Sequence, residues 1–94
     1  MRFELLPGHE YIRSGIEDLG RGVESVPALL VSIGAPRLKQ LGLPVPDTIV
    51  PAPEHRLYEL LQQEDPDAAH SRYNALIRRL VSFERAAPGW RAMR

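Results

Sequence analysis

From Pro66 to Ala86 the chain reads P-D-A-A-H-S-R-Y-N-A-L-I-R-R-L-V-S-F-E-R-A, its longest uninterrupted helical pattern. Ala69, Tyr73, Leu76, Ile77, Leu80 and Phe83 recur at the three-and-four spacing that gathers side chains on one helix face. Arg72, Asn74, Arg78, Arg79, Ser82 and Arg85 fill most of the rest. At about 1.5 Å per residue such a helix spans roughly 30 Å. In a chain of 94 residues, a rod of that length has to be the seat on which the other segments pack. The spacing therefore predicts an all-α fold: one small bundle of about five helices ending in a long C-terminal helix.

The preceding segments supply the other helices. Glu10 to Leu19 carries a stripe of Tyr11, Ile12, Ile16 and Leu19, with Gly15 on the same face. That glycine either permits close helix approach or is simply tolerated. Gly20 and Gly22 offer C-terminal caps. Ser25-Val26-Pro27 opens a second helix, with serine as its cap and proline in its first turn. Val26, Leu29, Leu30 and Ile33 face inward, with Ala28 and Val31 partly so, and this nearly all-round apolar helix should be central. Gly34 is expected to stop it and Ala35-Pro36 to restart a short helix through Leu41. Pro53 begins another, Glu54 to about Gln63, with Leu57, Leu60 and Leu61 inward. Glu64-Asp65-Pro66 should turn the chain into an αα-hairpin, Asp65 capping the long helix and Pro66 opening it. The expected core is Ile12, Ile16, Leu19, Val26, Leu29, Leu30, Ile33, Leu38, Leu57, Leu60, Leu61, Tyr73, Leu76, Ile77, Leu80 and Phe83.

Between the helical halves, residues 43–53 hold four of the nine prolines. Proline fixes φ and removes donors, so this stretch reads as a semi-rigid crossover on one core rather than a domain linker. Residues 2–6 alternate, and Thr48-Ile49-Val50 is β-branched throughout. At most these two make a two-strand ribbon. Pro88-Gly89 should end the long helix and leave 88–94 as a mobile tail. Trp90, in that tail, either folds back on the body or docks on a partner.

Composition narrows the function classes. Twelve basic and twelve acidic residues cancel, so no long-range field toward nucleic acid or anionic lipid arises. Only Lys39 is a lysine; the Arg, Ala and Pro bias reads as genome composition. With no cysteine, disulfides and thiolate metal sites are excluded. A domain this small has a thin stability margin, and oligomerisation is the remaining supplement. No apolar run approaches the roughly 20 residues that span a bilayer, and no signal peptide is visible, so the chain reads as cytoplasmic.

Candidate chemistry is sparse. His9, His55 and His70 show no metal-ligand spacing, and no cofactor or metal is expected. Asp67, His70 and Ser71 do not make a triad, because Ser71 points away from the imidazole's far side. Gly20-Arg21-Gly22 lacks the rest of a phosphate loop. The two pieces around Gly34 resemble a helix-turn-helix only superficially: Leu30 is bulky where that motif takes a small residue. Arg72 and Arg79 are seven apart, as are Arg78 and Arg85, so each pair shares a helix side. Against the acidic Glu54–Asp67 segment these arginines can be paired internally instead of binding phosphates.

The reading that asks least is a non-enzymatic interaction or regulatory module of bacterial type. It is expected to form a homo-oligomer or bind a protein, with Arg72, Arg78, Arg79, Arg85 and Trp90 as its interaction residues. Tyr11, Tyr58, Tyr73, Phe83 and Trp90 are aromatics of the kind that anchor interfaces. The alternative is an accessory nucleic-acid binder using the arginine face of the long helix. A third class is a small-molecule enzyme with a site made from His55, His70 and Tyr73.

Overall fold

A computed structural model of the chain describes residues 6–48 and 50–92, with side chains described through Ala87. Four helices follow in order: α1 (His9–Gly20), α2 (Val26–Gln40), α3 (Pro53–Glu64) and α4 (Ala69–Ala92). α2 packs on α1, α3 and α4 alike, and α4 turns back along α3. The central position expected of the most apolar helix is the one α2 occupies. It buries Ala28, Leu29, Leu30, Val31, Gly34 and Leu38.

The fold has four helices rather than five because α2 runs straight through Gly34 and Pro36. The glycine is a contact, not a stop. A Cβ placed on Gly34 would sit 2.8 Å from Leu80 Cδ1 and 3.1 Å from Glu84 Oε2, so the bare Cα leaves room for these side-chain ends where α2 meets α4. Pro36 removes the N–H that would reach the carbonyl of Ser32. Such an interior proline costs about 3 kcal/mol, and burial along three helix interfaces offsets it.

Gly15 does the same work on the other side. Its absent Cβ would lie 2.3 Å from Pro27 O and 2.4 Å from Val31 Cγ2. Close approach of α1 and α2, not tolerance, explains this residue. It also explains why Val31 is fully buried while Val26 and Ile33 are only partly covered: α2 is rotated to set Val31 under Gly15.

The helix ends follow local chemistry. Ser25 caps α2, its hydroxyl accepting from the Ala28 N–H at 3.2 Å and donating to Asp18 Oδ2 at 2.5 Å. α1 and α2 close with the same motif. Val23 N donates to Asp18 O and Gly22 N to Leu19 O; at the end of α2, Leu43 N donates to Leu38 O and Gly42 N to Lys39 O. Gly22 and Gly42 take the positive φ that this cap requires. α3 has a less comfortable start, with Ala52 left-handed at φ 45.

Asp65 caps a turn rather than the long helix itself. Its Oδ1 accepts from the N–H groups of Asp67 and Ala68, Pro66 lies inside that turn, and α4 begins only at Ala69. At the other end the expected break at Pro88-Gly89 does not occur, and the backbone stays helical through Ala92. Phe83 and Ala87, both buried, hold the helix in place up to the proline. The tail expected over 88–94 is thus helical as far as it is described. The Trp90 side chain and residues 93 and 94 lie outside the described residues. The ribbon expected from 2–6 and 48–50 falls largely outside them as well. Among the described residues there is no strand, and Thr48 and Val50 lie in irregular chain. The crossover does lie on the core, pinned by buried Val45 and by Lys39 Nζ, which donates to Asp47 Oδ1 at 2.9 Å.

Most of the expected core is buried: Ile12, Leu19, Leu29, Leu30, Leu38, Leu57, Leu61, Leu76, Leu80 and Phe83. Ile16, Val26, Ile33, Leu60, Tyr73 and Ile77 pack around it, half covered. Leu6, Val45 and Ala87 join the core without having been marked by periodicity; Leu41 and Ala69, which also join it, lie on faces the spacing did mark.

Candidate functional site

The long helix distributes the four arginines whose side chains are described, Arg72, Arg78, Arg79 and Arg85, in two ways. Arg72 Nη1 donates to Glu64 Oε1 at 2.9 Å, across the α3–α4 turn. Arg79 Nη1 reaches Glu10 Oε1 of α1 at 3.4 Å, and its guanidinium lies 5.5 Å from the Tyr11 ring centroid. Arg78 and Arg85 are exposed and meet no carboxylate among the described residues. The seven-residue spacing thus sorts them correctly: one pair engaged, one pair facing solvent. Trp90 cannot be grouped with either, its side chain lying outside the described residues.

Arg72 and Arg79 line one open groove of about 380 Å³. Its walls are Tyr11 of α1, Val26 and Pro27 of α2, Glu64 of α3, and Ala75 and Leu76 of α4. The floor is apolar and the rim carries charge of both signs. Arg72, Glu64 and Arg79 at the rim, and Glu10 paired to Arg79 beside it, are all about half exposed. Such pairs contribute about 0–1 kcal/mol each, so they are available for exchange with a binding partner at little cost. Tyrosine and arginine around an apolar centre is the composition enriched at protein interfaces. A smaller groove of about 260 Å³ runs between α2 and the crossover, with Leu19, Ala35, Val45 and Val50 inside and the Lys39–Asp47 pair at its lip. The hydrogen bond from Lys39 holds the Asp47 carboxyl below the usual carboxylate range.

The residues of the enzyme reading fall into separate pairings. His55 pairs with Glu59 one turn along α3, at 3.5 Å. The His70 ring meets the Asn74 amide at 3.3 Å. Tyr73 stands edge-on to Tyr58, ring centroids 5.7 Å apart, and burial together with the charge of Glu54 raises its phenol pKa. None of the three lines either groove. Among the described residues no three His, Asp or Glu side chains are grouped to hold a metal ion. No helix among them is long and apolar enough to cross a membrane.

Glu84 is a carboxylate shifted upward by its surroundings. Burial at the α2–α4 crossing raises its pKa, and the charge of Arg37 partly opposes that. A carboxyl whose pKa is higher folded than unfolded favours the fold while protonated, and that contribution is lost as pH rises through the folded value. Glu84→Gln should therefore raise the denaturation midpoint at pH 7, and the gain should shrink as pH falls toward 4.5, the ordinary glutamate value. Paired urea titrations at the two pH values would show it; an equal gain at both would mean that the charge is not the cause.

Sequence reasoning named Arg72 and Arg79 but not the partners that fix them. Glu10 and Arg79 lie at opposite ends of the chain, as do Tyr11 and Arg79, and no local spacing signals such a meeting. Pairing of Arg72 with Glu64 was foreshadowed by the change of charge sign across the hairpin. The chain matches no protein-family model, no curated protein and no solved structure.

Proposed function

We propose that this chain is a non-catalytic protein-interaction module and that the groove between α1, α2 and α4 is its binding surface. One observation carries the reading: Tyr11, Arg72 and Arg79 ring an apolar floor of Val26, Pro27 and Leu76 in an open groove. Aromatic and arginine anchors at the edge of an apolar centre are what alanine truncation finds costly at interfaces. The half-exposed Glu10 and Glu64 keep these arginines soluble and oriented until a partner replaces them.

Display of a random peptide library on the folded protein tests this directly. Enriched peptides should lose at least about tenfold in affinity on Tyr11→Ala and on Arg79→Ala, the size of an interface anchor. They should be indifferent to Arg78→Ala. Enrichment that ignores Tyr11 and Arg79, with helical content unchanged in the variants, would remove the groove from consideration.

A nucleic-acid reading draws on Arg78 and Arg85, exposed arginines of α4 that meet no carboxylate among the described residues. Two phosphate contacts are few, because affinity for duplexes typically rests on about six to ten. Binding on that face should be weak even at low salt and should vanish in Arg78→Glu; tight binding surviving that change would favour another surface.

A further inference from the structure

We infer that the occupant of the α1–α2–α4 groove is the same surface of a second copy of this chain, so that the groove closes as a two-fold dimer. The inference rests on the interaction reading and specifies its partner. Its first support is charge. In a two-fold interface the same patch faces itself, so a patch of one sign repels its mate and only a patch with both signs is complementary to its own image. The groove rim has that character, with Arg79 beside Glu10 and Arg72 beside Glu64. Each arginine can exchange its own carboxylate for one on the partner, and because half-exposed pairs contribute little within one chain, the exchange sacrifices little.

The second support is a knob to set against the hole. Val23 is the exposed large hydrophobic side chain among the described residues, 46% accessible. It stands in the α1–α2 turn, three residues before groove-lining Val26. One apolar knob near one apolar groove allows reciprocal insertion about a two-fold axis, which buries both and leaves no open end for further growth. Area is no obstacle. The molecule's two longer extents, 42 and 25 Å, leave room for the roughly 800 Å² that each partner of a standard interface covers.

Sedimentation equilibrium over a series from micromolar to near-millimolar chain concentration tests the inference. The mass should move from one chain to two. Val23→Glu and Arg79→Glu should each weaken the dimer at least tenfold, with helical content unchanged. The double swap Glu10→Arg with Arg79→Glu should restore it, since exchanging the signs keeps the rim self-complementary. Failure of that rescue, or a dimer indifferent to both single changes, would overturn the inference. A strict monomer whose groove still takes library peptides would overturn it too, while leaving the groove's role as a binding surface intact. A strict monomer with an inert groove would remove both.

Discussion

Gly15→Ala is expected to cost the fold about 2 kcal/mol, although the same change in an isolated helix gains about 1 kcal/mol. The added methyl would fall 2.3 Å from Pro27 O and 2.8 Å from Pro27 C. Those are backbone atoms and cannot swing aside, so α1 has to slide off α2 and uncover Val31, which is fully buried beneath it. Gly20 lies on the same helix, has an ordinary φ, and has nothing within 4 Å of its would-be Cβ. Gly20→Ala should therefore be neutral or stabilise the fold by up to about 1 kcal/mol. The measurement is a pair of urea denaturation curves with unchanged slope. Two midpoint shifts of the same sign would mean that helix propensity, not the crossing, governs this helix.

Phe83→Ala should produce the larger loss, about 3–5 kcal/mol. Phe83 is the largest fully buried side chain among the described residues, and its removal leaves a cavity against buried neighbours that can only partly collapse. A chain of this length holds roughly 5–14 kcal/mol in total, so the variant keeps a fraction of its margin or loses the fold near body temperature. Ile77→Ala on the same helix should cost visibly less, because Ile77 is only partly buried. Calorimetric melting of both variants gives the comparison; equal losses would mean that α4 is not seated on the face carrying Phe83.

Both substitutions mark the boundary of what could be read from residue order. The Leu76–Leu80–Phe83 stripe is legible because burial and helix period coincide there for several turns. Ser25, Gly22 and the hairpin turn are legible because caps and turns are made by neighbours in sequence. Gly34 and Pro36 mislead because their local meaning, a stop and a restart, is overruled by contact with Leu80 and Glu84, far along the chain. The same holds at Pro88, where buried Ala87 carries the helix past its expected end. Gly15 is ambiguous for the same reason: nothing in the Glu10–Leu19 segment reveals that Pro27 will lie against it. The groove follows this rule. Arg72 and Arg79 share a face by arithmetic, but Tyr11 and Glu10 reach them only through the tertiary fold.

The packing order of the helices has a kinetic corollary. α1 meets α2, α2 meets α3 and α3 meets α4, each a neighbour in sequence; the α2–α4 seam at Gly34 and Leu80, and the contacts of Arg79 with Glu10 and Tyr11 of α1, span longer stretches. Chains built mostly from such nearby contacts acquire their shape in times on the order of microseconds to milliseconds. Gly34, at one of the distant seams, then governs how fast the finished molecule comes apart more than how fast it forms.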